Sequence, residues 1–309
     1  MSKKYKNNAK IGFVGFTYPA PKGLSRFDAT LWQMKEAYDM GCELFSAFTF
    51  GMSEDEAKQI DEKIQEYGFE QEGFMPFAVF ELAGFQGADP VKAKETVEQI
   101  VEQNAAKGVK IIRGAYNSRL DYKYSRWNLE PGWTGEEQKA NVIESLKLAA
   151  PILEKNGCYL AIENHLDFTG KEFDEIYTAV GSKHIGCAYD TANGLFLNTD
   201  PNYDIAYMPK WAITTHIKDS KIVDTPHNGN DTGPNGPLIP VGCALGDGVV
   251  NVKKALDEIL DKSPMKDGIH LILETGWFGA TVNENNEMDE YNRQILRQSM
   301  AWLKGYLTL

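Results

Sequence analysis

Glu163 and His165 stand two residues apart in the segment AIENHLDF, residues 161–168, where an apolar run gives way to polar residues. The preceding residues, Cys158 to Ile162, are typical of a buried strand. Because side chains alternate along a strand, the carboxylate of Glu163 and the imidazole of His165 face the same way. A carboxylate and an imidazole on one face can transfer protons or bind a metal ion.

Eight short apolar runs rich in Val, Ile, Phe and Tyr are predicted to be strands, and the run before Glu163 is one of them. They begin at Lys10, Cys42, Phe74, Val109, Cys158, His184, Ala212 and His270. Amphipathic stretches between the strands predict helices. Ser53 and Glu56 have the spacing of a capping box, and Asp89 followed by Pro90 is typical of a helix start. Pro151 is expected to kink the helix after the fourth strand.

Eight strand–helix units in a chain of 309 residues predict an α/β fold, the (β/α)8 TIM barrel. A doubly wound open sheet is the main alternative. It usually carries a glycine-rich phosphate-binding turn after its first strand, whereas this chain has FTYPAPKGLS there. No linker and no shift in composition interrupt the sequence, so we predict a single domain over residues 1–309.

The predicted strands five to eight end at Glu163, Asp190, His216 and Glu274. In a barrel the carboxyl ends of the strands surround the active site, so these four side chains are expected to meet at one rim. Unpaired carboxylates at such a rim repel each other, and a divalent cation removes the repulsion. The oxygen-rich set with one nitrogen favours Mn²⁺ or Mg²⁺, of which we expect Mn²⁺, with Co²⁺ and Zn²⁺ as further alternatives.

Each of these residues has an ordinary structural role when it is considered alone. A strand-end carboxylate usually caps a helix or faces solvent, and a lone histidine is usually a satisfied core residue. Four metal-binding residue types at the ends of four successive strands are a less ordinary coincidence, and it is this combination that predicts the metal site.

The composition excludes several classes of protein. The formal net charge of −12 argues against binding to nucleic acid, whose phosphates would be repelled. The four cysteines form no CxxC pair, so we expect buried free thiols and a reducing compartment, the cytoplasm. No apolar run approaches the ~20 residues that span a membrane, and the basic start MSKKYKNNAK is not followed by a signal-peptide core.

The motifs IENH, YDTAN, HIKDS, LGDG and LETG, in this order, resemble the xylose isomerase-like TIM-barrel superfamily of sugar isomerases, epimerases and related lyases. The second half of the chain matches closely in its motifs. The first half matches only in the order of its predicted strands and helices. The resemblance implies a divalent metal held by Glu163, Asp190, His216 and Glu274. It also implies a keto-sugar substrate that passes through an enediolate, and Glu163 and Glu274 as residues that combine metal binding with proton transfer.

The chain departs from the ketose 3-epimerases of this superfamily at two points. They place a histidine three residues after the sixth-strand aspartate, where this chain has Asn193. They also carry an arginine shortly after the seventh-strand histidine, where this chain has Lys218 and Lys221. The three-zinc nucleases of the superfamily need many histidines, whereas this chain has five and a net charge of −12, so we reject that activity.

His165 and Lys218 are the further catalytic candidates. If Glu163 binds the metal, His165 lies beside the substrate and could take a proton from the carbon next to a carbonyl. The alternative is a histidine that hydrogen-bonds a loop carbonyl. Lys218, two residues after His216, could polarise a substrate oxygen, or it could pair with Asp219 or another nearby acid.

Two long segments bear on substrate and partners. Residues 222–249 show no helix or strand period, and loops of this length are usually lids, partner-binding elements or disorder. Residues 116–133 are rich in Tyr, Trp and Arg, which suit stacking on a sugar or an aromatic aglycone, or packing on a neighbouring subunit. Both segments lie at the predicted active-site rim, so we expect an oligomer.

The chain resembles one branch of this superfamily in ENH, in DTANG and in the aromatic segment 116–133. This branch is the metal-binding catalytic subunit of bacterial C-glycoside deglycosidases. These enzymes cleave a carbon–carbon bond in a 3-keto-glycoside and work with a small β-rich partner subunit. The alternatives are a keto-sugar isomerase or epimerase, an inosose dehydratase, and a sugar-binding barrel without catalysis.

Overall fold

The computed structural model describes residues 5–308 apart from 48, 50, 117–133, 166, 198, 225–237 and 277–286. The predicted aromatic segment 116–133 therefore lies outside the described residues, except for Tyr116. Of the predicted loop 222–249, residues 225–237 lie outside them.

Strands and helices alternate along the described part of the chain. The strands are β1 (Lys10–Val14), β2 (Leu44–Ser46), β3 (Gly73–Phe74), β4 (Ile111–Ala115), β5 (Tyr159–Glu163), β6 (Ile185–Asp190), β7 (Ala212–Ile217), β8 (Asp219–Asp224), β9 (Leu238–Cys243) and β10 (His270–Leu273). The α-helices are α1 (Arg26–Asp39), α2 (Glu54–Tyr67), α3 (Pro90–Ala106), α4 (Gly135–Asn156), α5 (Gly170–Val180), α6 (Pro201–Asp204), α7 (Val252–Lys262) and α8 (Glu287–Leu307).

Eight of the strands form one sheet in the order β2-β1-β10-β7-β6-β5-β4-β3. The neighbours whose register is defined pair in parallel, for example Phe13 with Leu273 and Glu163 with Ala188. Glu70, three residues before β3, makes a parallel bridge to Leu44 in β2. Parallel strands that alternate with helices in this way confirm the predicted (β/α)8 fold class.

Local signals set the helix ends as the sequence predicts. Ser53 and Glu56 form the capping box of α2, and Asp89 caps α3 with Pro90 at its first position. Gly68 ends α2 at φ 71°, a left-handed conformation that favours glycine. Helix α4 continues through Pro151.

The predicted third strand, FMPFAVFEL from Phe74, is wrong over most of its length. Only Gly73–Phe74 is strand, and Phe77–Phe80 forms a 3₁₀ turn. Pro76 has no N–H to donate to a neighbouring strand, so pairing stops before it. The side chains of Asn141 and Ser145 then donate to the Phe80 carbonyl at 2.8 and 3.0 Å.

The expectation of no strand in residues 222–249 is also wrong. Residues Asp219–Asp224 and Leu238–Cys243 pair as an antiparallel two-stranded sheet outside the eight-stranded one. Glycines, prolines and asparagines interrupt the strand period in this part of the sequence and hide the pairing.

Contacts between Cα atoms divide the chain into two compact units. The first contains Met1–Glu70, His216–Lys253 and His270–Leu309. Its core includes a cluster of buried apolar side chains on β1, β2 and β10: Val14, Leu44 and Ile272. The ring of Phe13 meets that of Phe45 edge to face at 5.5 Å.

The second unit contains Gln71–Thr215 and Lys254–Ile269. A buried cluster from β4, β5, β6 and β7 lies in its core: Ile111, Ala161, Ala188 and Ile213. The single domain over residues 1–309 stays a prediction.

All four cysteines are buried and free, as the sequence predicts. Among the described residues, no helix combines the length and the apolar character needed to cross a membrane.

Candidate active site

Glu163 is the last residue of β5, at the carboxyl end where the sequence predicts it. It stands in register with Ala115 of β4 and Ala188 of β6. Its side chain is 9% exposed, and its Oε1 accepts a long hydrogen bond of 3.4 Å from Asn193 Nδ2. Asn193 stands where the ketose 3-epimerases are expected to carry a histidine, and here its amide contacts a candidate metal ligand.

Asp190 is the last residue of β6 and is fully buried. Its Oδ1 accepts from the N–H groups of Ala192 and Asn193, at 2.8 and 3.0 Å. These bonds form an Asx-type turn, which favours an aspartate at position 190. They fix the direction of the carboxylate before any ligand binds.

Asn164 holds the backbone of Asp190 in place. Its Nδ2 donates to the Asp190 carbonyl at 2.9 Å, and its Oδ1 accepts from the Asp190 N–H at 2.8 Å. The side chain is buried, with 3% of its surface exposed. No role is predicted for Asn164 from the sequence, although a polar residue between Glu163 and His165 must face the opposite way and needs a buried partner.

His216 and Lys218 both approach Glu274. His216 lies in β7, and Glu274 follows the last residue of β10. The Nδ1 atom of His216 and the Nζ atom of Lys218 lie 3.0 and 2.9 Å from Glu274 Oε2. Burial opposes ionisation of Glu274, but the charges of Lys218 and His216 outweigh it and hold the pKa of Glu274 well below its usual value.

Lys218 thus pairs with Glu274. This is the second of the two predicted alternatives, an ion pair with a nearby acid. Asp219 instead accepts hydrogen bonds from four backbone N–H groups, those of Ser220, Gly246, Gly248 and Val250. Burial raises the pKa of Asp219, and the four donors act against that rise. This carboxylate therefore organises the LGDG turn.

The four predicted ligands lie together: one donor atom from each of Glu163, Asp190, His216 and Glu274 lies within 4.8 Å of the others. Three carboxylates and one imidazole in this space form a donor set that fits a divalent cation with a preference for oxygen. The cluster could therefore hold such an ion. The choice of Mn²⁺ over Mg²⁺, Co²⁺ or Zn²⁺ stays a prediction.

His165 is half-buried, two residues after Glu163. Its Nδ1 atom is enclosed and has no hydrogen-bond partner among the described residues. Nδ1 therefore makes no hydrogen bond to a carbonyl of the described residues, and the predicted alternative, a histidine that hydrogen-bonds a loop carbonyl, stays a prediction. The role of His165 as a base stays a prediction.

Solved structures share the fold over nearly the whole chain. A xylose isomerase-like TIM-barrel protein from Mycobacterium smegmatis, in complex with magnesium, is 15% identical and superposes with a TM-score of 0.63, covering 96% of this chain and 99% of that one. D-Psicose 3-epimerase from Clostridium cellulolyticum H10, with D-tagatose, is 15% identical with a TM-score of 0.65, covering 96% and 98%. The 3-keto-D-glucoside 4-epimerase from E. coli is 14% identical with a TM-score of 0.60, covering 96% and 99%.

At these identities the structures establish the fold alone. A search of curated proteins finds no significant match. The family model for the xylose isomerase-like TIM barrel matches residues 34–306, which is most of the sequence. The chain therefore belongs to the xylose isomerase-like TIM-barrel family.

Proposed function

We propose that this protein is a divalent-metal-dependent enzyme that removes a proton from the carbon next to the carbonyl of a keto sugar or a 3-keto-glycoside. The observation that carries the proposal is the cluster of Glu163, Asp190, His216 and Glu274. The names of the similar structures support a sugar substrate, since two of them are epimerases of a ketose and of a keto-glucoside.

The four clustered side chains would hold the metal, which when bound would polarise the carbonyl of the substrate and stabilise the negative charge that develops on its oxygen. Asn164 and Asn193 orient two of these ligands, Asp190 and Glu163. Lys218 keeps Glu274 ionised, which suits a ligand but makes Glu274 a weak proton acceptor.

His165 is our candidate for the base that takes the proton, because it shares a strand face with Glu163 and has an enclosed Nδ1 atom with no partner among the described residues. Glu163 is the second candidate.

For the outcome of the reaction, we propose cleavage of a C-glycoside by a carbon–carbon lyase. Loss of the proton from C2 of a 3-keto-glycoside allows the bond from C1 to the aglycone carbon to break. The electron pair leaves with the aglycone carbon, which then takes up a proton. Return of a proton to the sugar instead gives an isomer or epimer, and the two similar epimerase structures favour this second candidate. Departure of a hydroxyl group would give a dehydratase.

One experiment tests the reaction and separates these outcomes. The metal-free protein is incubated with a keto sugar and with a 3-keto-C-glycoside, with and without Mn²⁺, and the products are identified. We expect turnover only with the metal, and release of the aglycone from the glycoside. Isomerised keto sugar without aglycone release would favour an epimerase. Sugar binding without turnover of either substrate would overturn the enzymatic proposal and indicate a sugar-binding barrel.

We also propose that the chain works as an oligomer in the cytoplasm, with a small β-rich second polypeptide as a candidate partner. The aromatic residues of 116–133 support this proposal. Analytical ultracentrifugation tests it: a monomer with full activity and no companion protein would contradict it.

A further inference from the structure

We propose that Arg113 binds a carboxylate of the substrate, so that the protein acts on a keto derivative of a sugar acid. This inference rests on the proposed function, because it names the class of substrate that the same site takes. Arg113 is the third residue of β4, the strand next to the one that carries Glu163.

The guanidinium of Arg113 is a positive charge without a counter-ion. The residue is half-buried, and its Nη1 atom is enclosed without a hydrogen-bond partner among the described residues. No carboxylate in the described part of the chain forms an ion pair with it. An arginine stays protonated at any physiological pH, and a partly buried charge that lacks a partner is costly. We therefore expect the partner to come from outside the chain.

Arg113 faces the same way as Glu163. Arg113 is in register with Ala161 of β5, and Ala161 lies two residues before Glu163. Residues in register across parallel strands, and residues two apart along a strand, have their side chains on one face of the sheet. The guanidinium and the candidate metal ligand therefore share a face.

A hydrogen bond across the barrel shows that this face is the inner one. Thr214 Oγ1 in β7 donates to Glu72 Oε1, directly before β3, although three strands separate β7 from β3 in the sheet. Glu72 shares its face with Phe74, which is in register with Arg113. The same bond engages the carboxylate of Glu72, which forms no ion pair with Arg113.

The strand register places Arg113 beside Glu163. Glu163 is in register with Ala188, whereas the neighbouring candidate ligand Asp190 lies two residues further along β6. Arg113 lies two residues before Ala115, the register partner of Glu163 in β4, so that it is offset from Glu163 as Glu163 is from Asp190. A donor atom of Glu163 lies within 4.8 Å of one of Asp190. Strand spacings of ~4.8 Å and ~3.3 Å per residue put the Cα atoms of Arg113 and Glu163 roughly 8 Å apart. One monosaccharide can bridge this distance.

Phe74 supplies an apolar surface beside the guanidinium. It is the last residue of β3, stands in register with Arg113 and is 59% exposed. A large apolar side chain left exposed on the inner face of a barrel is typical of a ligand site. The C–H face of a sugar ring can pack on Phe74 while a carboxylate on the ring meets Arg113.

A carboxylate fits Arg113 better than a phosphate or a neutral hydroxyl group. The planar fork of a guanidinium matches the two oxygens of a carboxylate. Phosphate sites usually add several free backbone N–H groups, whereas the backbone of β4 is paired in the sheet on both sides of Arg113. A hydroxyl group would leave the charge without a counter-ion.

A binding measurement tests the assignment without turnover. Methyl β-D-glucuronide, methyl β-D-glucoside and the 6-phosphate of the glucoside are titrated by calorimetry into the protein with saturating Mg²⁺, which offsets the charge of the clustered carboxylates. We expect the glucuronide to bind on the order of tenfold more tightly than either of the other two compounds. Equal binding of glucuronide and glucoside would overturn the proposal. Tighter binding of the phosphate would overturn the assignment to a carboxylate.

Three variants locate the effect. Arg113→Met removes the charge and keeps a long side chain, so the advantage of the glucuronide should disappear. Arg113→Lys keeps the charge without the fork and should retain part of the advantage. Arg293→Met is the matched control, because Arg293 pairs with Glu290 in α8, and it should retain the full advantage. An advantage that persists in Arg113→Met would overturn the proposal.

Thermal unfolding checks the charge without any ligand. Arg113→Met replaces a partly buried charge that has no partner, so its melting temperature should equal or exceed that of the wild type. A marked fall would show that Arg113 has a structural partner and would overturn the proposal.

Proton exchange separates this proposal from the proposed function. The 3-keto derivatives of the glucuronide and the glucoside are incubated with Mn²⁺ in deuterated water. If both proposals hold, kcat/KM for exchange should be on the order of tenfold higher for the keto acid, and Arg113→Met should lose this preference. Exchange without any preference would overturn the carboxylate site and leave the reaction standing. No exchange on either compound, with the binding advantage intact, would overturn the reaction and leave the carboxylate site standing.

Discussion

The side chain of Asn164 makes two hydrogen bonds to the backbone of Asp190, donating to its carbonyl at 2.9 Å and accepting from its N–H at 2.8 Å. Asn164 follows the candidate ligand Glu163, and Asp190 is itself a candidate ligand. A single amide therefore connects the ends of β5 and β6, each of which carries one candidate metal ligand. Groups that orient ligands in this way commonly contribute 10–100-fold to metal affinity.

Replacement of Asn164 should therefore weaken metal binding although no ligand is removed. We expect Asn164→Ala to lower Mn²⁺ affinity on the order of 10–100-fold in calorimetry. Asn141→Ala is the matched control, because Asn141 is also buried but donates to the Phe80 carbonyl. It should lower the melting temperature without a comparable loss of metal affinity. Equal affinity losses in both variants would mean that the effect is general destabilisation.

The four clustered side chains should bind one divalent metal in the purified protein. Removal of a ligand by Glu274→Gln or His216→Ala takes away a donor from the cluster, so we expect substoichiometric metal in both variants and one ion per chain in the wild type. Inductively coupled plasma mass spectrometry of freshly purified protein measures this. Stoichiometric metal in all three proteins would contradict the assignment.

Lys218 should modulate metal binding through Glu274. Its Nζ atom lies 2.9 Å from Glu274 Oε2, so Lys218→Met removes a positive charge that repels the cation. We expect affinity at neutral pH to rise on the order of tenfold. The pKa of Glu274 should also rise, so the affinity of the variant should begin to fall at a higher pH on acidification than that of the wild type. Lys221→Met changes an exposed lysine nearby and should leave both properties unchanged; a loss of affinity in Lys218→Met would contradict the prediction.

His165 should contribute to catalysis and not to metal binding. We expect His165→Ala to retain the metal, since the four ligands remain, and to lose on the order of 10²–10⁴ in kcat, the usual contribution of a positioned base. It should also stop exchange of the substrate's α-proton in deuterated water, as followed by NMR. His184→Gln, directly before β6, is the histidine control, and it should retain both kcat and exchange. Near-wild-type exchange in His165→Ala would move the base to Glu163, the second candidate.

The sequence predicts much of this site because strand ends are easy to recognise when an apolar run stops at a charged residue. Glu163, Asp190, His216 and Glu274 follow four such runs, and the structure brings them together. The contact of Lys218 with Glu274 could not be predicted, because alternation gives the face of a side chain but not the acid that it meets across the sheet.

Other features of the fold could not be predicted from the sequence, because the local residue pattern there differs from the structure that the fold imposes. FMPFAVFEL has the composition of a strand, but Pro76 ends the pairing and the following residues bury their aromatic rings in a 3₁₀ turn. The β8–β9 pairing was missed because its sequence is interrupted by turn-forming residues.

Asp204 should make the stability of the protein depend on pH. Its side chain is 2% exposed, and its Oδ1 accepts from the Gly170 N–H at 2.9 Å. Burial raises the pKa of Asp204 to about 6, whereas an aspartate in an unfolded chain has a pKa of ~3.9. The native state therefore holds this proton more tightly than the unfolded state. The resulting stabilisation is complete below the unfolded pKa and is lost as the pH rises through about 6.

Asp204→Asn removes this titration and keeps an oxygen that can accept from Gly170. Relative to the variant, the wild type should lose about 2 kcal/mol in its free energy of unfolding between pH 4.5 and pH 7, measured by urea denaturation. Asp200→Asn makes the same chemical change at an exposed position four residues earlier and should show a smaller pH-dependent difference. A difference between wild type and Asp204→Asn that stays constant over this range would show that Asp204 is already ionised in the native state at pH 4.5.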